Sequence, residues 1–119
     1  ENGENIMIAQ VRPDDETRPP YYFGTWSNAL GESTYLDESM IELSVLDYWK
    51  SYSSKVRYPS KWNIKVPTLS IDVIVEPILN NQELLLSHFN NLKYWEGKSS
   101  ISGSHIGRAY VELVGYEAE

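Results

Sequence analysis

The sequence predicts an all-β domain of antiparallel strands, and three observations carry that reading. Aromatic residues make up 13% of the chain, with nine Tyr and four Trp, side chains whose flat bodies pack well on a pleated, half-buried surface. Residues 61–66 alternate without interruption, with Trp62, Ile64 and Val66 on one side and Lys61, Asn63 and Lys65 on the other, the period of two that belongs to a strand with one wet face. The apolar segments are short and punctuated by Pro, Gly and Asn, giving about seven or eight strands spaced as in a sandwich or an up-and-down barrel.

Taken in order, the chain opens on Asn2-Gly3, a pair suited to positive φ in a two-residue hairpin, and continues as an extended segment over 6–12. Such a turn implies a strand ahead of it, from a longer polypeptide or from another one. Residues 13–20 are too rich in Pro and charge to lie inside an element and form a solvated loop. A strand is expected over 21–28 and a turn over 30–33. From 40 to 49 the apolar positions alternate but slip near Leu46, which predicts a bulge or a strand end. The serine-rich stretch 52–58 reads as a connection. Residues 70–76 repeat the alternation between Pro67 and Pro77. In 80–89 a helix competes, because 83–88 contains no breaker, and the segment is read as a turn followed by a short strand. Residues 93–102 and 106–116 then form a hairpin across 103–107.

The 119 residues hold one domain, 1–119, with a modest core. A net charge of −7 repels phosphate backbones and anionic headgroups, so neither nucleic acid nor membrane insertion is expected. No apolar run reaches the roughly 18 residues of a membrane span. The absence of Cys excludes disulfides and thiolate metal sites.

Several strings together carry a family resemblance. Tyr58-Pro59-Ser60-Lys61-Trp62 with Val66-Pro67, then Val75-Glu76-Pro77, Asn81-Gln82-Glu83-Leu84, Tyr94-Trp95-Glu96-Gly97 and the closing Tyr110-Val111-Glu112-Leu113-Val114-Gly115-Tyr116 stand in the order and spacing of a known set of blocks. The chain resembles the C-terminal lipocalin-like domain of the carotenoid 1,2-hydratase (hydroxyneurosporene synthase) and AttH-type secreted hydrolase family. The resemblance implies an antiparallel lipocalin-like β-barrel that lacks its first strand or strands, the C-terminal part of a two-domain protein. It implies a site for an apolar small molecule, and a periplasmic or secreted location. The hydratases carry an aromatic and an acidic residue on the strand matching 6–12, where this chain has Ala9, Gln10 and Val11.

Candidate chemistry rests on carboxylates set among apolar neighbours. Glu76, Glu96 and Glu112 each face either solvent or the barrel interior, and inward placement would raise a carboxyl pKa toward that of a proton donor. Glu96 and Glu112 are the candidates for acid catalysis. Glu76, Tyr94, Glu96, Tyr110, Glu112 and Trp62 are the candidate ligand-binding residues, with Tyr116 a further phenol at a pocket mouth. His88 and His105 lack further partners at metal-ligand spacing, and Asp14-Asp15-Glu16 lacks the pattern of a Ca²⁺ loop. No phosphate loop, nucleophile elbow or HExxH is present, so neither a cofactor nor a metal is expected. Three readings follow: a module that encloses a hydrophobic small molecule; one wall of an active site for acid-catalysed hydration, isomerisation or cyclisation; and a structural domain completed by strand pairing with another chain. The corresponding partners are a hydrophobic small molecule, and a missing N-terminal domain or another copy of the chain.

Overall fold

Alternation in the sequence becomes strand wherever it was read. The computed structural model describes residues 2–118 and contains β1 (Asn5–Val11), β2 (Tyr21–Ser27), β3 (Ser33–Leu36), β4 (Glu42–Lys50), β5 (Arg57–Val66), β6 (Ile71–Pro77), β7 (Glu83–Leu86), β8 (Leu92–Gly103) and β9 (Gly107–Val114). Single 3-10 turns at Glu38–Met40 and Pro67–Leu69 are the helical pieces among the described residues. The strands form two antiparallel sheets. One has the order β1-β2-β3, and the other runs β4-β5-β6-β8, with β7 beside β6 on one edge of β8 and β9 on its opposite edge. The fold is all-β and barrel-like, but the strand path does not close among the described residues.

Several local expectations meet their outcome here. The slip near Leu46 is a bulge: the register between β4 and β5 shifts on either side of Asp47. The contested 80–89 segment yields β7, because Glu83 to Leu86 bond to the edge of β8 that β6 leaves uncovered, and a helix would leave those backbone groups unpaired. The connection expected over 52–58 ends sooner, since Arg57 and Tyr58 already belong to β5 and Tyr58 is buried against Trp49. Strand β3 begins at the end of the stretch read as a turn; its Ser33 and Thr34 look polar because only Leu36 is buried. Of the opening pair, Gly3 has φ of 83° and the Asn2 Oδ1 accepts from the Glu4 amide. Strand β1 pairs with β2 across the Pro-rich loop, and among the described residues its other edge has no ladder.

The core lies between the sheets. Trp62 and Val66 of β5, Ile71, Val73 and Val75 of β6, with Leu36 and Ile41 from the corner between β3 and β4, form its buried centre, and Ile6, Ile8 and Trp26 of the first sheet pack onto it. A second cluster, Val56, Tyr58 and Trp95, seals one end with Trp49, Leu113 and Tyr116. Trp95 is 1% exposed, and its indole N–H donates to the Asn80 carbonyl at 2.7 Å, so the largest side chain of this cluster is also polar-satisfied.

Candidate functional site

Both sheets line a half-open cavity of about 1400 Å³. Its middle is apolar: Ile6 and Ile8 of β1, Trp26 of β2, Leu43 of β4, Trp62 of β5 and Val73 of β6 all contribute. This follows from strand alternation, which sends every second residue to the same face. On β5 the same period sends Lys61 and Lys65 outward.

Polar groups gather at the two ends. At one end the Glu4 Oε2 accepts from the Trp26 indole N–H at 3.4 Å and stands 3.5 Å from His105 Nε2, while His105 Nδ1 lies 2.8 Å from the Ser104 hydroxyl. At the other end Arg12 donates to the Val114 carbonyl at 2.6 Å, and its guanidinium lies 3.7 Å over the Tyr116 ring. Burial pushes the Tyr116 phenol above its usual pKa, and the nearby Arg12 charge offsets part of that rise. Gln10 donates to the Tyr22 hydroxyl at 3.2 Å in the same region.

Of the residues singled out from the sequence, Trp62 faces the cavity and is 7% exposed. Glu76 sits on the outer face of β6, with Lys61 at 3.7 Å. On β8 the buried residues are Trp95, Gly97 and Ser99, which fixes Tyr94 and Glu96 on the outer face. There Glu96 stands directly across from Glu112, and Tyr94 from Val114. Tyr94, Glu96 and Glu112 line a shallow external groove of about 240 Å³ with Leu86, Leu92 and Val114. Tyr110, 60% exposed, has its phenol pKa raised by local desolvation and by the Glu96 and Glu112 carboxylates. Tyr110 and Glu112 also touch the cavity rim, because β9 is an edge strand. The structure therefore gathers Tyr94, Glu96, Tyr110 and Glu112 on one outer surface and leaves Glu76 apart from them.

Glu4, Arg12 and His105 are the charged or titratable side chains that make the polar contacts across the cavity ends, and sequence reading passed over Glu4 and Arg12. Arg12 and Val114 are 102 positions apart, so no local pattern links them. A further polar cluster holds the 51–56 turn to β7: Glu83 accepts from the Ser51 hydroxyl at 2.7 Å and the Ser54 hydroxyl at 2.5 Å. The Tyr58 hydroxyl beside it is buried next to the Glu83 carboxylate without a well-formed hydrogen bond, and burial, then the proximity of that carboxylate, push its pKa far above the usual range. No group of three metal-ligating side chains occurs among the described residues.

Comparison with family models matches residues 1–116 to the AttH-like model. The chain belongs to the AttH-like family. Its fold is similar to that of a protein assigned as AttH from Nitrosomonas europaea, solved by crystallography, with a TM-score of 0.84 at 22% sequence identity. That match covers 98% of this chain and 36% of the other, so the chain spans about a third of the length of that relative. At this identity the likeness speaks for the fold alone. Comparison with curated proteins gave no match. Within the family frame, the blocks Asn81-Gln82 and Trp95-Glu96-Gly97 become intelligible as neighbours: the Gln82 side chain fills the space over Gly97, where a Cβ would lie 2.1 Å from it.

Proposed function

We propose that this domain encloses an apolar small molecule between its two sheets. The observation that carries the reading is the cavity itself: its middle holds aliphatic and indole side chains, and two polar groupings among its lining, Glu4 with His105 and Arg12 with Tyr116, stand at opposite ends. Such a lining favours a guest through area removed from water, while the polar ends orient it. Separation of the polar groups to the two ends suits an elongated guest with polar termini. The resemblance to the carotenoid 1,2-hydratase domain agrees with a long apolar chain. The outward placement of Glu76 and Glu96 supports a binding role over acid catalysis by those two carboxylates.

Titration with a long-chain fatty acid or an apolar polyene, followed by quenching of Trp26 and Trp62 fluorescence, tests the proposal. Saturable quenching is expected, and Ile8→Lys, which puts a charge on the cavity wall, should weaken it at least about tenfold. Glu96→Gln should leave it unchanged. Quenching that is equally strong in Ile8→Lys would remove the cavity as the site.

A further inference from the structure

Strands β1 and β9 face each other across an open slot. Residues 2–10 and 103–114 all border the cavity without a gap. A strand that serves as a wall contributes alternate residues, so an unbroken run means that its edge, with its N–H and C=O groups, lines the space. No ladder joins the two strands, and the Cα atoms of β1 and β9 lie beyond 8 Å of one another almost throughout. Direct neighbours would be about 4.8 Å apart, and one intervening strand needs roughly twice that.

The slot is bridged at both ends by side chains, and the bridges give its polarity. Glu4, just before β1, meets His105, just before β9; Arg12, just after β1, meets Val114, at the end of β9. Therefore β1 and β9 run parallel. Every ladder among the described residues is antiparallel, so following the register pairs from either end makes β3 and β4 run in one sense, as a single line bent at 37–41. Seven lines alternate in direction around the molecule, and the first and last point the same way. One more strand, antiparallel to both, joins the two sheets on this side and gives eight alternating lines, the number found in the smallest barrels that hold one small ligand.

We infer that the slot is the docking site for one extended peptide strand, antiparallel to β1 and β9 and apolar at alternate positions. A folded second copy does not meet the requirement. Its β1 and β9 each have one edge already engaged, by β2 and β8, whereas the occupant bonds on both sides. The Val114 carbonyl faces the slot, and groups on the same side recur at every second residue, so the N–H and C=O of Arg108, Tyr110 and Glu112 face it too. β9 is eight residues long, which sets the length of the occupant. Its inward side chains meet Ile6, Ile8 and Val111, which asks for aliphatic residues there. The positive φ of Gly3 and the Asn2 to Glu4 bond make a corner at the mouth of the slot, so a strand joined ahead of it is delivered in the required sense.

The inference is independent of the guest proposed above and is read on backbone amides. An eight-residue Thr-Val repeat is fused ahead of Glu1, and the same repeat is added as a free peptide to the unmodified chain. Residue-resolved amide exchange should slow at Tyr110 and Glu112 by about tenfold or more in at least one arm, while Val111 and Leu113, turned toward β8, change less. A repeat with Pro in place of Val, which lacks the N–H groups for a ladder, should give no protection. Absence of protection in both arms overturns the inference. So does protection in the unmodified chain that rises with its own concentration alongside a doubled mass in light scattering, since the edges would then be covered copy to copy. Protection of the same two amides by the fatty acid or polyene alone also overturns it.

Discussion

The packing of Gln82 over Gly97 makes a sharp test of how two sequence blocks depend on each other. The Gln82 amide accepts from the Lys98 N–H at 3.0 Å and donates to the Leu79 and Lys98 carbonyls at 2.9 and 3.2 Å. It thereby bridges the place where β6 ends and β7 begins along the edge of β8. Gln82→Ala removes three partly solvated hydrogen bonds, and at roughly 0.5 kcal/mol each, the low end for such bonds, the loss is about 1.5 kcal/mol. Gly97→Ala costs about the same, because its methyl would lie 2.1 Å from the Gln82 side chain and drive the amide out. In the double variant the methyl occupies space already vacated, and replacing a strand glycine returns about 0.5 kcal/mol. The pair should therefore cost about 1 kcal/mol, where addition would give about 3, a coupling of roughly 2 kcal/mol. Urea unfolding followed by tryptophan fluorescence measures all four corners of the cycle. Additivity within about 0.5 kcal/mol would show that the glycine is not there to receive the glutamine.

Three further outcomes follow from the same packing. Tyr58→Phe removes a buried hydroxyl that stands beside the Glu83 carboxylate without a well-formed hydrogen bond to it, so at pH 7 the variant should lie within about 1 kcal/mol of the parent. Because the folded-state pKa of Tyr58 is raised above the usual 10.0, the fold keeps its proton after the unfolded chain has lost it, and parent stability should fall as pH rises above about 10; Phe at this position should lessen that decline in alkaline denaturation. Gly24→Ala should cost about 3 kcal/mol in thermal or urea unfolding, since the new methyl would sit 2.2 Å from the backbone oxygen of Met7 and force β1 off β2; a loss below 0.5 kcal/mol would contradict that geometry. Trp62→Ala should destabilise by about 3–5 kcal/mol, whereas Glu76→Gln, on a solvated pair with Lys61, should change stability by less than about 0.5 kcal/mol.

Much of the fold was legible locally because β-structure writes a period of two. The 61–66 and 70–76 segments are strands with the predicted faces, and the irregularity at Leu46 is the bulge beside Asp47. Strand β3 was not legible, since one buried residue, Leu36, carries its packing and four residues show no period. Tyr58 looks like part of a polar connection because its neighbours include Ser, Lys and Arg, although the ring itself stacks on Trp49 and packs at a tilt against Tyr116.

The candidate site divides along the same line. Trp62 was assigned to the inner face by its own strand's alternation, and the structure keeps it there. For Glu76, Glu96 and Glu112 alternation offers two faces and does not say which is inside; that is decided by which neighbours find a partner layer, and Trp95, Gly97 and Ser99 win the interior of β8. By itself the sequence determined the strand content, the net negative charge and the likeness to AttH. Only the tertiary structure decided the cavity's polar ends and the open slot between β1 and β9, because Arg12 meets Val114, and Glu4 meets His105, through loop closures of about a hundred residues that no local periodicity encodes.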